Sequence, residues 1–199
     1  MERFLCPSHY IDFPAENIQQ CIQALFPAGM EPVEKIRTAY HFVRDDIPHA
    51  FDSHAKVVPV TASEVLHHRT GICHAKANLM AALLRAQGIP TGFCFQRITY
   101  MAEDESLGYC THAFSAVYLD GRWLRLDARG NKPGIDAQFS LTEPILAYPP
   151  RSEFEEYLYP GIYAGPHLVT MAKLEQSSRN RELFHGFPDE LMEAPDLLD

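Results

Sequence analysis

The sequence lacks most of the features that sort a protein into a class at first reading. It has no surplus of positive charge: 26 acidic residues against 17 basic ones leave a formal net charge of −9. That is the wrong sign for neutralising phosphates, so nucleic acid is not expected as a partner. No apolar run approaches the roughly 20 residues that cross a bilayer, so membrane insertion is not expected either. The opening residues, Met1-Glu2-Arg3-Phe4-Leu5-Cys6-Pro7, have no apolar centre of the secretory kind. Cysteines number 5, an odd count without a CxxC pair, and free thiols in a reducing cytoplasm are the simplest expectation. Internal repeats and low-complexity linkers are also missing.

What is present is core-forming material. The 199 residues are 46% hydrophobic, with 12 Phe and 9 Tyr, enough to fill one domain spanning residues 1–199. Within it a core is expected over about 30–130, an irregular extension over 131–185 and an acidic tail over 186–199. That tail gathers Asp189, Glu190, Glu193, Asp196 and Asp199. Pro14 opens a helix through Phe26, with Ile18, Cys21, Ile22 and Leu25 on one face. A second starts at Pro32 and carries the stripe Val33, Ile36, Tyr40 and Val43. Thr61-Ala62-Ser63-Glu64 has the form of a capping box and starts a short helix that Gly71 ends. The clearest helix follows, from Cys73 to Gln87, rich in Ala and Leu and stopped by Gly88-Ile89-Pro90.

Beyond Pro90 the pattern turns to strands. Phe93–Tyr100 is aromatic and β-branched, and Glu103-Asp104-Glu105 with Gly108 reads as an exposed loop. His112–Leu119 and Arg122–Ala128 flank Asp120-Gly121, a strong hairpin signal. Further on, prolines and glycines punctuate short segments, with one helix expected around Glu153–Tyr159. Helices first and an antiparallel sheet afterwards indicate an α+β fold.

Cys73 stands out among the thiols. Cys21 fits the ordinary role of a small buried hydrophobe, but Cys73 follows Thr70-Gly71-Ile72 and opens a long helix. Free N–H groups and the positive end of the helix dipole there favour a thiolate, the nucleophilic form. A two-residue turn at Asp120-Gly121 pairs Leu119 with Arg122 and, counting back, Phe114 with Asp127. Alternation then puts His112, Phe114, Ala116 and Tyr118 on one face with Trp123, Arg125 and Asp127. His112 and Asp127 become diagonal neighbours within side-chain reach, so a carboxylate can orient an imidazole that serves as base. With the Cys73 helix packed on the Phe114, Ala116 and Trp123 face, its N-terminus would meet His112. A loop longer by one residue would turn Asp127 to the other face.

Three ordered stretches resemble the transglutaminase-like superfamily, the papain-related group of cysteine enzymes. They are Thr61–Leu66 leading into Gly71–Ala77, then Leu83–Pro90, and finally His112-Ala113-Phe114 leading through Leu119–Trp123 to Leu126-Asp127. Val43–Pro48 is similar to the helix usually found upstream. The resemblance covers about residues 30–130. It implies N-terminal helices packed on an antiparallel sheet in a papain-like core. It also implies acyl transfer through a thioester, with Cys73, His112 and Asp127 as nucleophile, base and orienting acid. The backbone N–H of Cys73 can supply one oxyanion donor. Related enzymes draw the second from a side chain upstream of the cysteine. Here the papain-like offset holds His67, while the single tryptophan, Trp123, comes later. His67, His68 and His54 are candidates for that donor.

His74, Tyr109 and Trp123 are candidates for the substrate cleft. His67-His68 with Cys73-His74 shows no closed zinc-type spacing, and neither metal nor cofactor is expected. The expected partner is a peptide or protein amide substrate, and the oligomeric state is not legible. Peptidase or amidase activity is favoured over cross-linking to an amine. A non-catalytic peptide- or protein-binding domain on the same fold is the alternative.

Overall fold

The computed structural model describes residues 1–101, 104–179, 183 and 187–191, leaving aside the side chains of 101 and 104–106. Among the described residues, five α-helices, α1 (Glu16–Leu25), α2 (Pro32–His41), α3 (Ala62–His68), α4 (Cys73–Arg85) and α5 (Leu168–Gln176), accompany four strands. These are β1 (Thr91–Met101), β2 (Asp104–Leu119), β3 (Arg122–Leu126) and β4 (Tyr157–Leu158). The strands form one antiparallel sheet in the order β3-β2-β1-β4. This is the α+β arrangement that the sequence pattern implies.

Helix α4 is the centre of the molecule. Every residue from His74 to Arg85 is buried. Its Ala and Leu side chains leave no solvated face, as expected for a helix enclosed on all sides. Enclosure would be costly for its polar residues unless each found a partner. Lys76 Nζ donates to the carbonyls of Ile47 (2.6 Å) and Arg129 (2.7 Å). Asn78 donates to Val60 O, and the Arg85 guanidinium donates to the carbonyls of Thr91, Cys6 and Ala164. These side chains therefore staple distant loops to one helix.

The start of α3 carries the capping box: Thr61 Oγ1 accepts from the Glu64 amide and Glu64 Oε2 accepts from the Thr61 amide. Its end differs from expectation. Arg69, in the left-handed region at φ 52°, closes α3, and Gly71 is left free for the turn into α4. Helix α2 runs into a π-helical turn over Phe42–Asp46 before Ile47-Pro48.

The hairpin register is the counted one: Leu119 pairs with Arg122 and Ser115 with Leu126. Asp120 and Gly121 both have positive φ, 49° and 83°, the conformation of a type I′ turn. Strand β2 is longer than expected, since Asp104 begins it and Gly108 lies within it; Glu103 falls outside the described residues. The C-terminal third is also more ordered than expected. A 3-10 turn at Ser152–Phe154 and the short β4 replace the helix expected around Glu153–Tyr159. Helix α5 buries Thr170, Met171 and Leu174 in a stretch whose short punctuated segments gave no clear period. Of the acidic tail, Asp189 and Glu190 are exposed, whereas Glu193, Asp196 and Asp199 lie outside the described residues.

The sheet separates two apolar layers. Phe93, Phe95, Ala113, Val117, Leu124 and Leu126 join α4 in the main core. Phe114, Ala116 and Cys94 form a smaller cluster with Leu146, and Trp123 packs against it. The expectation that α4 covers the Phe114 and Trp123 face is therefore overturned. Alanine-spaced α4 lies on the opposite face, where the larger Phe and Leu side chains fill the gap.

Candidate active site

With α4 and His112 on different faces, Cys73 reaches the imidazole around the edge of β2. The β2–β3 ladder ends at Ser115 and Leu126, leaving the edge groups of Thr111 and Ala113 unpaired by β3. The N-terminus of α4 occupies that gap. The Ala113 amide is directed at the Cys73 sulfur, and Thr111 O accepts from His74 Nε2 at 3.0 Å. The Thr111 amide donates to Pro188 O at 3.0 Å.

His112 Nε2 meets Asp127 Oδ2 at 2.9 Å, and both side chains are almost fully buried. The ring's other nitrogen is left for Cys73, to which it is hydrogen-bonded. Asp127 also accepts from the backbone amides of Arg129 (3.1 Å) and Ala147 (2.9 Å). These bonds lock the carboxylate, and through it the ring.

The electrostatics follow from this contact chain. Burial by itself pushes the Cys73 thiol up, but the charge and hydrogen bond of His112, with the Ala113 amide, bring it below 9.0. Burial likewise opposes the imidazolium of His112, yet Asp127 and the Cys73 thiolate hold it well above 6.5. Burial would raise the Asp127 carboxyl, but His112 and the amides of Ala147 and Arg129 depress it. Each group charges its neighbour. This shifts the pair toward thiolate and imidazolium, a strong nucleophile with a proton donor at hand. By contrast, burial pushes the thiols of Cys94 and Cys110 up to about 12.

A cavity of about 120 Å³ opens onto this chain, with Cys73, His74, Thr111, His112, Arg129 and His49 in its polar lining. Ile98, Tyr100 and Phe187 supply apolar wall. Of the expected cleft residues, only His74 lines it. Its Nε2 is bound to Thr111 O, its Nδ1 has no partner among the described residues, and burial lowers its pKa to about 3. Tyr109 instead lies under the Arg97 guanidinium, 3.3 Å from the ring centre. Trp123 packs edge-on against Phe4 in the small cluster at the hairpin. Trp123 pairs with Tyr118 beside the turn, six residues along β2 from His112, and Tyr109, three residues before His112, takes the opposite face of the strand.

The oxyanion candidates need a larger correction. His67 and His68 end α3, exposed and packed against one another, and His54 is exposed at φ 53°. None of these three lines the cavity, whereas His49 does. The upstream stretch Val43–Pro48 stopped one residue short of it. Among the described residues no three His, Cys, Asp or Glu side chains gather as a metal would need.

The transglutaminase-like superfamily model matches residues 20–128, more than half of the chain. The chain belongs to the transglutaminase-like superfamily. A solved structure from Cytophaga hutchinsonii, described as a candidate cysteine protease, shares the fold with a TM-score of 0.50 at 23% identity. The match covers 63% of this chain and 40% of that one. No curated protein matches the chain. Cys73, His112 and Asp127 all lie within the matched region, and the kind of function supported is that of a cysteine enzyme.

Proposed function

We propose that the protein is a cysteine-nucleophile acyl-transfer enzyme that cleaves amide bonds through a thioester, with water as the usual acceptor. The observation that carries the reading is the contact chain from half-buried Cys73 to the buried His112–Asp127 pair, opening on one cavity. In this mechanism the Cys73 thiolate attacks the amide carbonyl, and His112 gives its proton to the departing nitrogen. The neutral imidazole then takes a proton from water as that water attacks the thioester, and Cys73 leaves as thiolate. Asp127 keeps the ring in the required orientation throughout.

Water is taken as the acceptor because hydrolysis needs only a water in the site, whereas transamidation also needs a pocket for an amine. Whole-protein mass spectrometry of an acylated intermediate tests the chemistry, with sub-stoichiometric iodoacetamide mapping the reactive thiol. Cys73 is expected to be labelled before Cys6, Cys94 and Cys110; first labelling of another thiol would refute the assignment. A glutamine- or amide-containing peptide, with and without millimolar primary amine, tests the acceptor. A dominant amine adduct would instead establish transamidation.

A further inference from the structure

From its place in the cavity beside Cys73 and its one committed ring nitrogen, we infer that His49 is the second oxyanion donor. The inference rests on the acyl-transfer reading above and extends it to a residue that has no part in the Cys73–His112–Asp127 chain.

The position of His49 is built by the structure around it. Its backbone forms a parallel bridge with Gly71, two residues before Cys73, and the Ala50 amide donates to Gly71 O at 3.0 Å. Thr70 Oγ1 donates to Pro48 O at 3.1 Å, and Lys76, one turn into α4, donates to Ile47 O at 2.6 Å. The loop carrying His49 is thus riveted at Ile47, Pro48 and Ala50 to the segment that carries the nucleophile. The side chain is 6% exposed. Such fixation is what an oxyanion donor requires, since its dipole must be in place before charge develops.

The tautomer follows from one hydrogen bond. His49 Nδ1 accepts from the Phe51 amide at 3.4 Å, so in the neutral ring the proton is on Nε2. No group among the described residues accepts from that Nε2. Burial, followed by the charges of Arg129 and Lys76, holds the ring's pKa well below 6.5, so it stays a neutral donor. A neutral imidazole can hydrogen-bond a developing oxyanion without losing its proton to it. His74 cannot play this part, because its Nε2 proton is already given to Thr111 O and its free Nδ1 is an acceptor.

The other donor is the Cys73 amide. It is the first residue of α4, and Ile72 before it provides no side-chain cap, so the dipole and free N–H groups of this helix end face the nucleophile. When the thiolate forms its bond to the carbonyl carbon, the π pair moves onto oxygen. Cys73 N–H and His49 Nε2–H hold that oxygen. The pair then returns, the carbon–nitrogen bond breaks, and the proton from His112 ends on the leaving amine.

The test pairs two reactions of one thiol. Acylation by p-nitrophenyl acetate, followed by the burst of p-nitrophenolate, passes through an oxyanion. Alkylation by iodoacetamide does not, since it displaces iodide at a saturated carbon. His49→Ala is expected to slow the burst about 10²-fold while alkylation of Cys73 stays within about twofold of the parent. His49→Asn, which restores an N–H donor, is expected to recover part of the loss. An unchanged burst in His49→Ala would overturn the inference. So would an equal loss in both reactions, which would make His49 a support of the ion pair or of the fold. A parent protein that alkylates at Cys73 but shows no burst would refute the acyl-transfer reading, and this inference with it.

Discussion

The two ends of α4 bury polar groups of similar kind and leave them in different states. At the carboxyl end, the Arg85 guanidinium meets the carbonyls of Thr91, Cys6 and Ala164, and apolar side chains enclose it. At the amino end, His74 Nδ1, Thr111 Oγ1 and Arg129 Nε are all buried without a partner among the described residues, and all three side chains line the cavity. A fully satisfied buried group has only a structural part to play. Orphaned polar atoms around a cavity are costly to the fold and leave bonds for something else to complete.

Perturbing the amino end should therefore change reactivity, and perturbing the carboxyl end should change stability. The largest effect is expected from His112→Ala. Losing the imidazolium returns the thiol toward its ordinary range, and thioester formation should fall by about 10⁴-fold or more in stopped-flow acylation. Retained turnover would end the amino end's claim to chemistry. Next in size is Arg85→Met, which strands the buried carbonyls of Thr91 and Ala164 and frees that of Cys6. Urea unfolding should show a loss of about 3 kcal/mol or more, with iodoacetamide labelling of Cys73 unchanged within about twofold. Lys76→Met sharpens the contrast, because it strands the carbonyls of Ile47 and Arg129 beside the site. It should cost about 2 kcal/mol and also slow labelling several-fold, which Arg85→Met should not do.

The pH dependence separates the ends again. Because the folded thiol of Cys73 titrates below 9.0, its thiolate is gained as pH rises through that depressed value. Labelling should fall on acidification through it and remain level upward while His112, raised by Asp127, keeps its proton. In His112→Ala the inflection should move up. The smallest effect is expected from Trp123→Phe. The indole packs with Phe4 and Tyr118 away from the cavity, so the change should cost about 1 kcal/mol and leave labelling unaffected. A drop in labelling would restore Trp123 to the cleft.

Local chemistry was legible wherever one short segment decides the outcome. The capping box at Thr61, the breaker at Gly88-Ile89-Pro90 and the type I′ turn at Asp120-Gly121 each act over a few residues. The turn, in turn, sets the register that brings His112 to Asp127. Helix α5 escaped because its burial comes from docking, and its own period is weak. His49 escaped because its place in the cavity comes from the Ala50 amide bonding Gly71 O and from Lys76 reaching its loop.

The chain's own residues thus determined an α+β order, a thiol at a helix start and an imidazole–carboxylate pair across a hairpin. Only the tertiary structure decided that α4 lies on the opposite face of the sheet from His112. It also decided that Cys73 reaches the ring around an unpaired strand edge. Periodicity states which side chains share a face, but which face a helix covers depends on the fit of volumes between distant segments. Alanine-lined α4 fits against the broad side chains of Phe93 and Phe95. That fit is settled in three dimensions, and the sites of His49, Tyr109 and Trp123 follow from it.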